Sequence, residues 1–313
     1  MIMSDSYSLT IKNSEKTAWV LDEVLPPDHN LDLSKQFIPM PIRAEDKEHG
    51  NFSKAEYNLL SQLNASAYTY IIEVIERYIV DLVMKQFPMP PDKEKERLRA
   101  MSRFLDEEVK HQQLFDRFNA TLARNLNQKL VTPNNGLEFS RKVMSKSPLS
   151  IWLLTLHTEV MTHFHYTFLF KSGIDLEPKF VEILKAHWLE ESQHVKVDAL
   201  EIQRLVETLP EAQRQTALNE YVELLDLIYQ EQVKGNYAAF ENFKKISGIK
   251  INPLHEASLM NNLMQSSRNL IIDVGLRHPT LVSAVKSFGL GFELKLPEVS
   301  KQIEAANKLN KAA

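Results

Sequence analysis

Glu108-Val109-Lys110-His111 and Glu191-Ser192-Gln193-His194 are the two stretches whose reading decides the fold. In each, a glutamate and a histidine stand three residues apart, so on an α-helix they project from one face as neighbours. Each pair offers a metal ion one carboxylate and one imidazole. Helix bundles that hold two iron or manganese ions use two such pairs, with one further glutamate from each of two other helices. A chain this rich in glutamate produces such pairs by chance, so the weight rests on the neighbouring segments.

Those segments supply the missing carboxylates. No charged residue occurs from 57 to 72, and Glu73 follows directly. Glu159 is the only Asp, Glu, Lys or Arg between Lys146 and Lys171. An ionised carboxylate in apolar surroundings is costly unless it is paired or bound to a metal. In the last segment His187, Glu191, His194 and Asp198 fall at i, i+4, i+7 and i+11, on one helical stripe. The first three are candidate ligands, and Asp198 is placed to hold an imidazole N–H. The expected metal ligands are therefore Glu73, Glu108, His111, Glu159, His187, Glu191 and His194. Mixed carboxylate and imidazole donors suit iron or manganese. The absence of cysteine excludes Fe–S clusters, thiol catalysis and disulfides.

Other residues read more simply. Glu76 adjoins Arg77 and is expected on a solvated or salt-bridged face. Glu107 and Glu190 precede the ligands and point about 100° away, so each is expected either exposed or supporting a ligand from behind. His157, His163 and His165 taken singly read as core or surface histidines, the run Tyr166, Phe168 and Phe170 as core, and residues 93–99 as a charged helix face. Helical spacing around Glu73 and Glu159 nominates Tyr70, Thr155, Thr162, His163 and Tyr166 as substrate-pocket residues.

The 313 residues carry 37 basic and 41 acidic side chains, 43% hydrophobic and 25% charged residues, and 8 glycines. That is an ordinary globular composition, poor in the glycine that hairpins need. The formal charge of −4 gives no electrostatic case for nucleic acid or a lipid surface. The apolar stretch 151–170 contains Glu159 and three histidines, which suits a helix buried in protein better than one in a bilayer. No signal peptide is read at the start, and a cytoplasmic protein is expected. Residues 1–50, broken by Pro26-Pro27, Pro39 and Pro41, read as an irregular arm. Ser53-Lys54-Ala55-Glu56 is a capping box opening a helix to about residue 87, stopped by Pro88, Pro90 and Pro91. Further helices are expected at about 92–127, 147–171, 177–208, 211–245 and 253–274, the last capped by Gly275. A weaker one begins at Pro297. The fold class is all-α: a four-helix core over 51–209, extended by 210–313 packed on the same domain.

The order Glu73, Glu108-x-x-His111, Glu159, His187-x-x-x-Glu191-x-x-His194 resembles the AurF-type p-aminobenzoate N-oxygenases, which are ferritin-like diiron proteins. A histidine one turn before the last Glu-x-x-His is that family's distinguishing ligand, and His187 matches it. The resemblance covers roughly residues 53–205. It implies a homodimer with two irons, O₂ as co-substrate, an external electron donor or reductase, and oxidation of a small aromatic amine through a peroxo-diiron intermediate. A manganese–iron pair, or a desaturase or hydroxylase acting on an aliphatic or fatty acyl substrate, is the alternative. A metal-free helical interaction protein is the alternative from another class. Ribonucleotide reductase small subunits share the paired motif but usually carry a radical tyrosine where this chain has Phe115. Ferritins are shorter chains.

Overall fold

The computed structural model describes residues 2–43, 51–86, 94–133, 136–171 and 173–310, and among them there is helix but no strand. Four long helices form the core: α3 (Lys54–Gln86), α4 (Lys95–Asn125), α6 (Pro148–Lys171) and α7 (Pro178–Thr208). Helix α3 packs on α4, α6 on α7, and both pairs close on each other. The capping box forms: the Ser53 amide donates to Glu56 Oε2 at 2.7 Å, and the Glu56 amide to Ser53 Oγ at 3.3 Å. The expected proline stop after α3 and the start near Asp92 lie outside the described residues.

Helix α6 is apolar on every side, and every residue from 149 to 162 is buried. Such a helix must be wrapped by protein, and α3, α7 and α8 (Glu211–Ser247) do this. Among the described residues no helix is long and apolar enough to cross a membrane. Pro178 opens α7, where its fixed φ and missing N–H cost nothing. The Glu177 side chain caps it, accepting from the Phe180 amide at 2.6 Å.

Several helices lie where the sequence suggested none. The expected irregular arm holds α1 (Ile2–Thr17) and the short α2 (Leu21–Val24). In α1, Tyr7, Thr10, Ile11 and Ser14 share one face and bury it against α4 and α7. Packing of that stripe stabilises a sequence that would be a poor helix in isolation. Helix α5 (Leu137–Met144) buries Phe139 and Val143 beside α3 and α8. Gly136 precedes it with φ +66, and a Cβ there would lie 2.8 Å from Val74.

The expected helix over 253–274 is interrupted. Helix α9 (Pro253–Arg268) passes into a π-helical stretch, Asn269–Asp273, before α10 (Val274–Arg277). The widened turn presents two carbonyls to α6: His157 Nε2 donates to the Ile271 carbonyl at 2.7 Å, and His165 Nε2 to that of Leu270 at 3.1 Å. Gly275 is no cap but a point of close approach, since a Cβ would run into the His157 ring. Helices α11 (Pro279–Lys286) and α12 (Leu296–Asn310) complete the chain.

Candidate metal centre

In the middle of the bundle the ligand-bearing faces of α3, α4 and α7 meet. Ligand atoms of Glu76, His111, His187 and Glu191 lie within 4.8 Å of one another, and so do those of Glu108, His111, Glu191 and His194. All six residues are buried. The two groups share His111 and Glu191. Glu191 Oε1 stands 2.7 Å from His187 Nε2 and 3.1 Å from His111 Nδ1, whereas its Oε2 stands 3.1 Å from His194 Nδ1. One carboxylate thus turns an oxygen to each group, as a bridging ligand does.

The inner atoms are poorly satisfied without an ion. Both Glu108 oxygens, Glu76 Oε2 and His111 Nδ1 are buried without a hydrogen-bond partner. Glu108 Oε1 is 2.9 Å from His194 Nδ1 but out of line for a hydrogen bond. Buried polar atoms are ordinarily partnered, so converging orphans of this kind fit a cation.

The outer imidazole nitrogens are fully engaged. His194 Nε2 donates to Glu107 Oε2 at 3.0 Å, and His111 Nε2 donates to Glu190 Oε2 at 2.9 Å. Each glutamate that precedes a Glu-x-x-His motif therefore holds the histidine of the opposite helix. This fixes both rings with Nδ1 facing inward. Glu107 also accepts from the Ser14 hydroxyl, and Glu190 Oε1 from Lys110 Nζ at 2.5 Å.

The protonation pattern follows from these contacts. Burial works against a charged His111, but Glu190 and Glu191 overcome it and push its pKa up to about 9. His194 is likewise held well above its ordinary value by Glu191 and Glu108 despite burial. Burial lowers His187, and the positive His111 and His194 lower it further. Burial alone would raise Glu191, yet His194 and His111 hold it at about 2. Glu76 and Glu108 are raised, first by burial and then by neighbouring carboxylates.

Of the seven expected ligands, Glu108, His111, His187, Glu191 and His194 come together. Glu73 and Glu159 do not join them. The place expected of Glu73 is taken by Glu76, whose Oε1 lies 3.1 Å from His187 Nε2 and 3.8 Å from His111 Nδ1. Neighbours in sequence diverge around a helix, whereas residues four apart share a face. Arg77 therefore pairs with Glu73 and not with Glu76. Glu73 borders a cleft of about 1150 Å³ with Tyr70, Arg77, Asp116 and Lys234. Its pKa is pushed up to about 7 by burial and by Asp116. Glu159 is buried on α6 outside both groups.

Asp198 differs too. It is fully buried, but neither of its oxygens has a hydrogen-bond partner, because Glu107 already takes the His194 N–H. Of the two alternatives expected for Glu107 and Glu190, the structure shows the second: both are buried and each holds a histidine. A signal for them was present: both motifs begin with a doubled glutamate.

The pocket residues scatter. Thr155 and Thr162 spend their hydroxyls on carbonyls of their own helix, at 3.0 and 2.9 Å. The rings of His163 and Tyr166 pack on Trp188, and Tyr70 faces the Glu73 cleft. An apolar cavity of about 280 Å³ lies elsewhere, between Pro39, Met40, Tyr68, His165, Phe168 and Leu270. In it the Tyr68 hydroxyl donates to His165 Nδ1 at 2.9 Å, since Nε2 carries the ring proton. Burial raises the Tyr68 pKa, and the charges of Glu191 and Glu76 raise it further.

The sequence profile described as P-aminobenzoate N-oxygenase AurF matches residues 45–275. No curated protein matches the chain. Among solved structures, a variant of an R2-like ligand-binding oxidase with an anaerobically reconstituted Mn/Fe cofactor is 12% identical, covering 91% of this chain and 92% of that one at a TM-score of 0.45. A second variant of such an oxidase, with an aerobically reconstituted Mn/Fe cofactor, is similar at the same identity and TM-score, covering 91% and 93%.

Proposed function

The chain belongs to the P-aminobenzoate N-oxygenase AurF family, and from that premise we propose that it is an oxygenase that activates O₂ at two metal ions held by Glu76, Glu108, His111, His187, Glu191 and His194. The observation that carries this reading is the pair of four-residue groups sharing Glu191, with unpartnered oxygens and an unpartnered Nδ1 turned inward. Three carboxylates and three imidazoles suit iron or manganese, and we assign a pair of irons, with a manganese–iron pair as the variant. Bound there, the pair supplies the O₂ and electron chemistry that no side chain can.

The chain's own residues hold and shield that pair. Glu191 and His111 belong to both groups and would serve both ions, while Glu76 and His187 would hold one ion and Glu108 and His194 the other. Glu107 and Glu190 keep the imidazoles aimed. Glu159 is the carboxylate α6 would add when metal draws it in. The apolar cavity beside Tyr68 and His165 takes the substrate. We assign it a small arylamine that is oxidised at nitrogen, and its apolar walls favour an aliphatic or fatty acyl substrate as the second reading. A homodimer and an external reductase belong to the same proposal.

Metal content per chain after expression in iron-supplemented medium is the test. Wild type should hold two irons, Glu76→Gln fewer, and Glu73→Gln two. A wild-type chain that takes up no metal even after anaerobic Fe(II) reconstitution would sink the reading. Oxygen uptake with arylamines, set against fatty acyl substrates, then separates the two substrate classes.

A further inference from the structure

A centre buried this deeply must receive its electrons through protein, and one aromatic residue joins it to the surface. Trp19 lies in the non-helical step between α1 and α2, half-buried, beside exposed Val20. Its indole stacks on the His111 imidazole, with ring centroids 5.9 Å apart and planes 14° from parallel. Lys110 Nζ stands 4.1 Å from the indole centre and bonds both the Trp19 carbonyl, at 3.3 Å, and Glu190, at 2.5 Å. Glu190 in turn accepts from His111. Trp19, Lys110, Glu190 and His111 thus form one closed unit running from the surface to an inner nitrogen of the metal group. Phe104 and Phe115 also touch its imidazoles, on His194 and His187, but both are fully buried. Among the described aromatic side chains packed on those imidazoles, Trp19 alone is partly exposed.

We propose that Trp19 is the point of entry through which electrons from a one-electron donor pass to the His111 side of the centre. This rests on the metal assignment above. Each transfer oxidises the donor by one electron, and two transfers take a ferric pair to the ferrous state. No bond forms or breaks at Trp19, and the indole keeps its proton. The ring is protected in two ways. The Lys110 ammonium is attracted to the neutral ring face and would be repelled by a ring that had lost an electron. The indole N–H is buried with no acceptor, so an oxidised ring could not shed its proton to become a lasting neutral radical. Trp19 carries charge without being consumed.

The test is the reduction rate of the oxidised, iron-loaded protein, followed by stopped-flow loss of its iron–carboxylate absorption. A reduced [2Fe–2S] ferredoxin serves as the protein donor. Trp19→Leu should keep its iron and spectrum yet be reduced at least about tenfold more slowly, a barrier higher by about 1.4 kcal/mol. Trp19→Phe, which keeps a stacked ring and the packing, should fall between Trp19→Leu and wild type. It is the variant to read if Trp19→Leu loads poorly. Iron loading should also quench an indole emission component that both variants lack. Iron-loaded variants with wild-type reduction rates would overturn this point of entry while leaving the metal assignment intact. A wild-type protein without iron would remove both.

Discussion

Glu107 and Glu190 touch no inner ligand atom, yet they decide where two of them point. Glutamine at either position keeps the shape but gives up the charge that accepts the imidazole N–H. Metal affinity should then fall about 10- to 100-fold, measured by competition with a chelator. Unchanged affinity in both variants would show that ring orientation is set by packing alone. This is also the scale at which the sequence is most and least legible. Glu108, His111, Glu191 and His194 are readable because a helix places residues three apart on one face whatever surrounds it. Glu76 is not, because proximity to Arg77 along the chain is no proximity in space, and the i, i+4 geometry pairs Arg77 with Glu73. Asp198 misleads for another reason: its rival Glu107 arrives from a different helix. Register along one helix says nothing about that.

Helix α1 is held to the bundle by side chains that form no visible pattern in the sequence. Tyr7 Oη donates to Glu201 Oε1 at 2.7 Å, and Arg97 grips both Glu201 oxygens at 2.6 Å. Tyr7→Phe should cost about 1.5–3 kcal/mol, the range for a hydrogen bond to a charged group, read as a lower denaturant midpoint at unchanged slope. Burial opposes the ionised Glu201, but Arg97, Arg204 and Tyr7 hold its pKa below the ordinary carboxylate value. The stability from this contact is therefore complete above the ordinary carboxylate pKa and is lost as pH falls through the depressed one. A Glu201→Gln variant should lose that acid-side slope, and a slope identical to wild type would rule the contact out as its source. The four core helices are legible because long apolar periodicity and proline punctuation agree. Helices α1 and α5 are not, because their packing against α3, α4, α7 and α8 stabilises what local propensity does not. At the π stretch the deciding fact is equally remote. Gly275→Ala would drive a methyl into the His157 ring, and overpacking of this kind costs about 1–3 kcal/mol, measurable as a drop in Tm.

For the molecule as a whole, the raised pKa values in the cage mean that metal must displace protons to bind. His111 titrates near pH 9, and His194, Glu76 and Glu108 are also raised. Metal uptake should therefore release protons, and affinity should climb as pH rises towards about 9 and decline on acidification. Calorimetry in two buffers of different ionisation enthalpy measures the protons released; identical heats would contradict the scheme. If the folded chain alone binds metal tightly, a free concentration of about 100 Kd should add about 2.7 kcal/mol of stability, and chelation should lower Tm accordingly. The fold class is legible at this scale from composition and helix spacing. The apolar cavity is not, because its walls come from the 38–41 segment, α3, α6 and the π stretch together.

The crossed bracing of α4 and α7 has a consequence for timing. Glu107 steadies His194 and Glu190 steadies His111, so neither Glu-x-x-His is a finished half-site by itself. While the chain is being synthesised, α4 emerges long before α7 and carries an imidazole with nothing to aim it. A metal ion met at that stage finds only a loose, exchangeable pair of donors. Capture has to wait until the second motif has docked, which makes loading the last act of assembly. The protonated histidines hold the cage together during the interval.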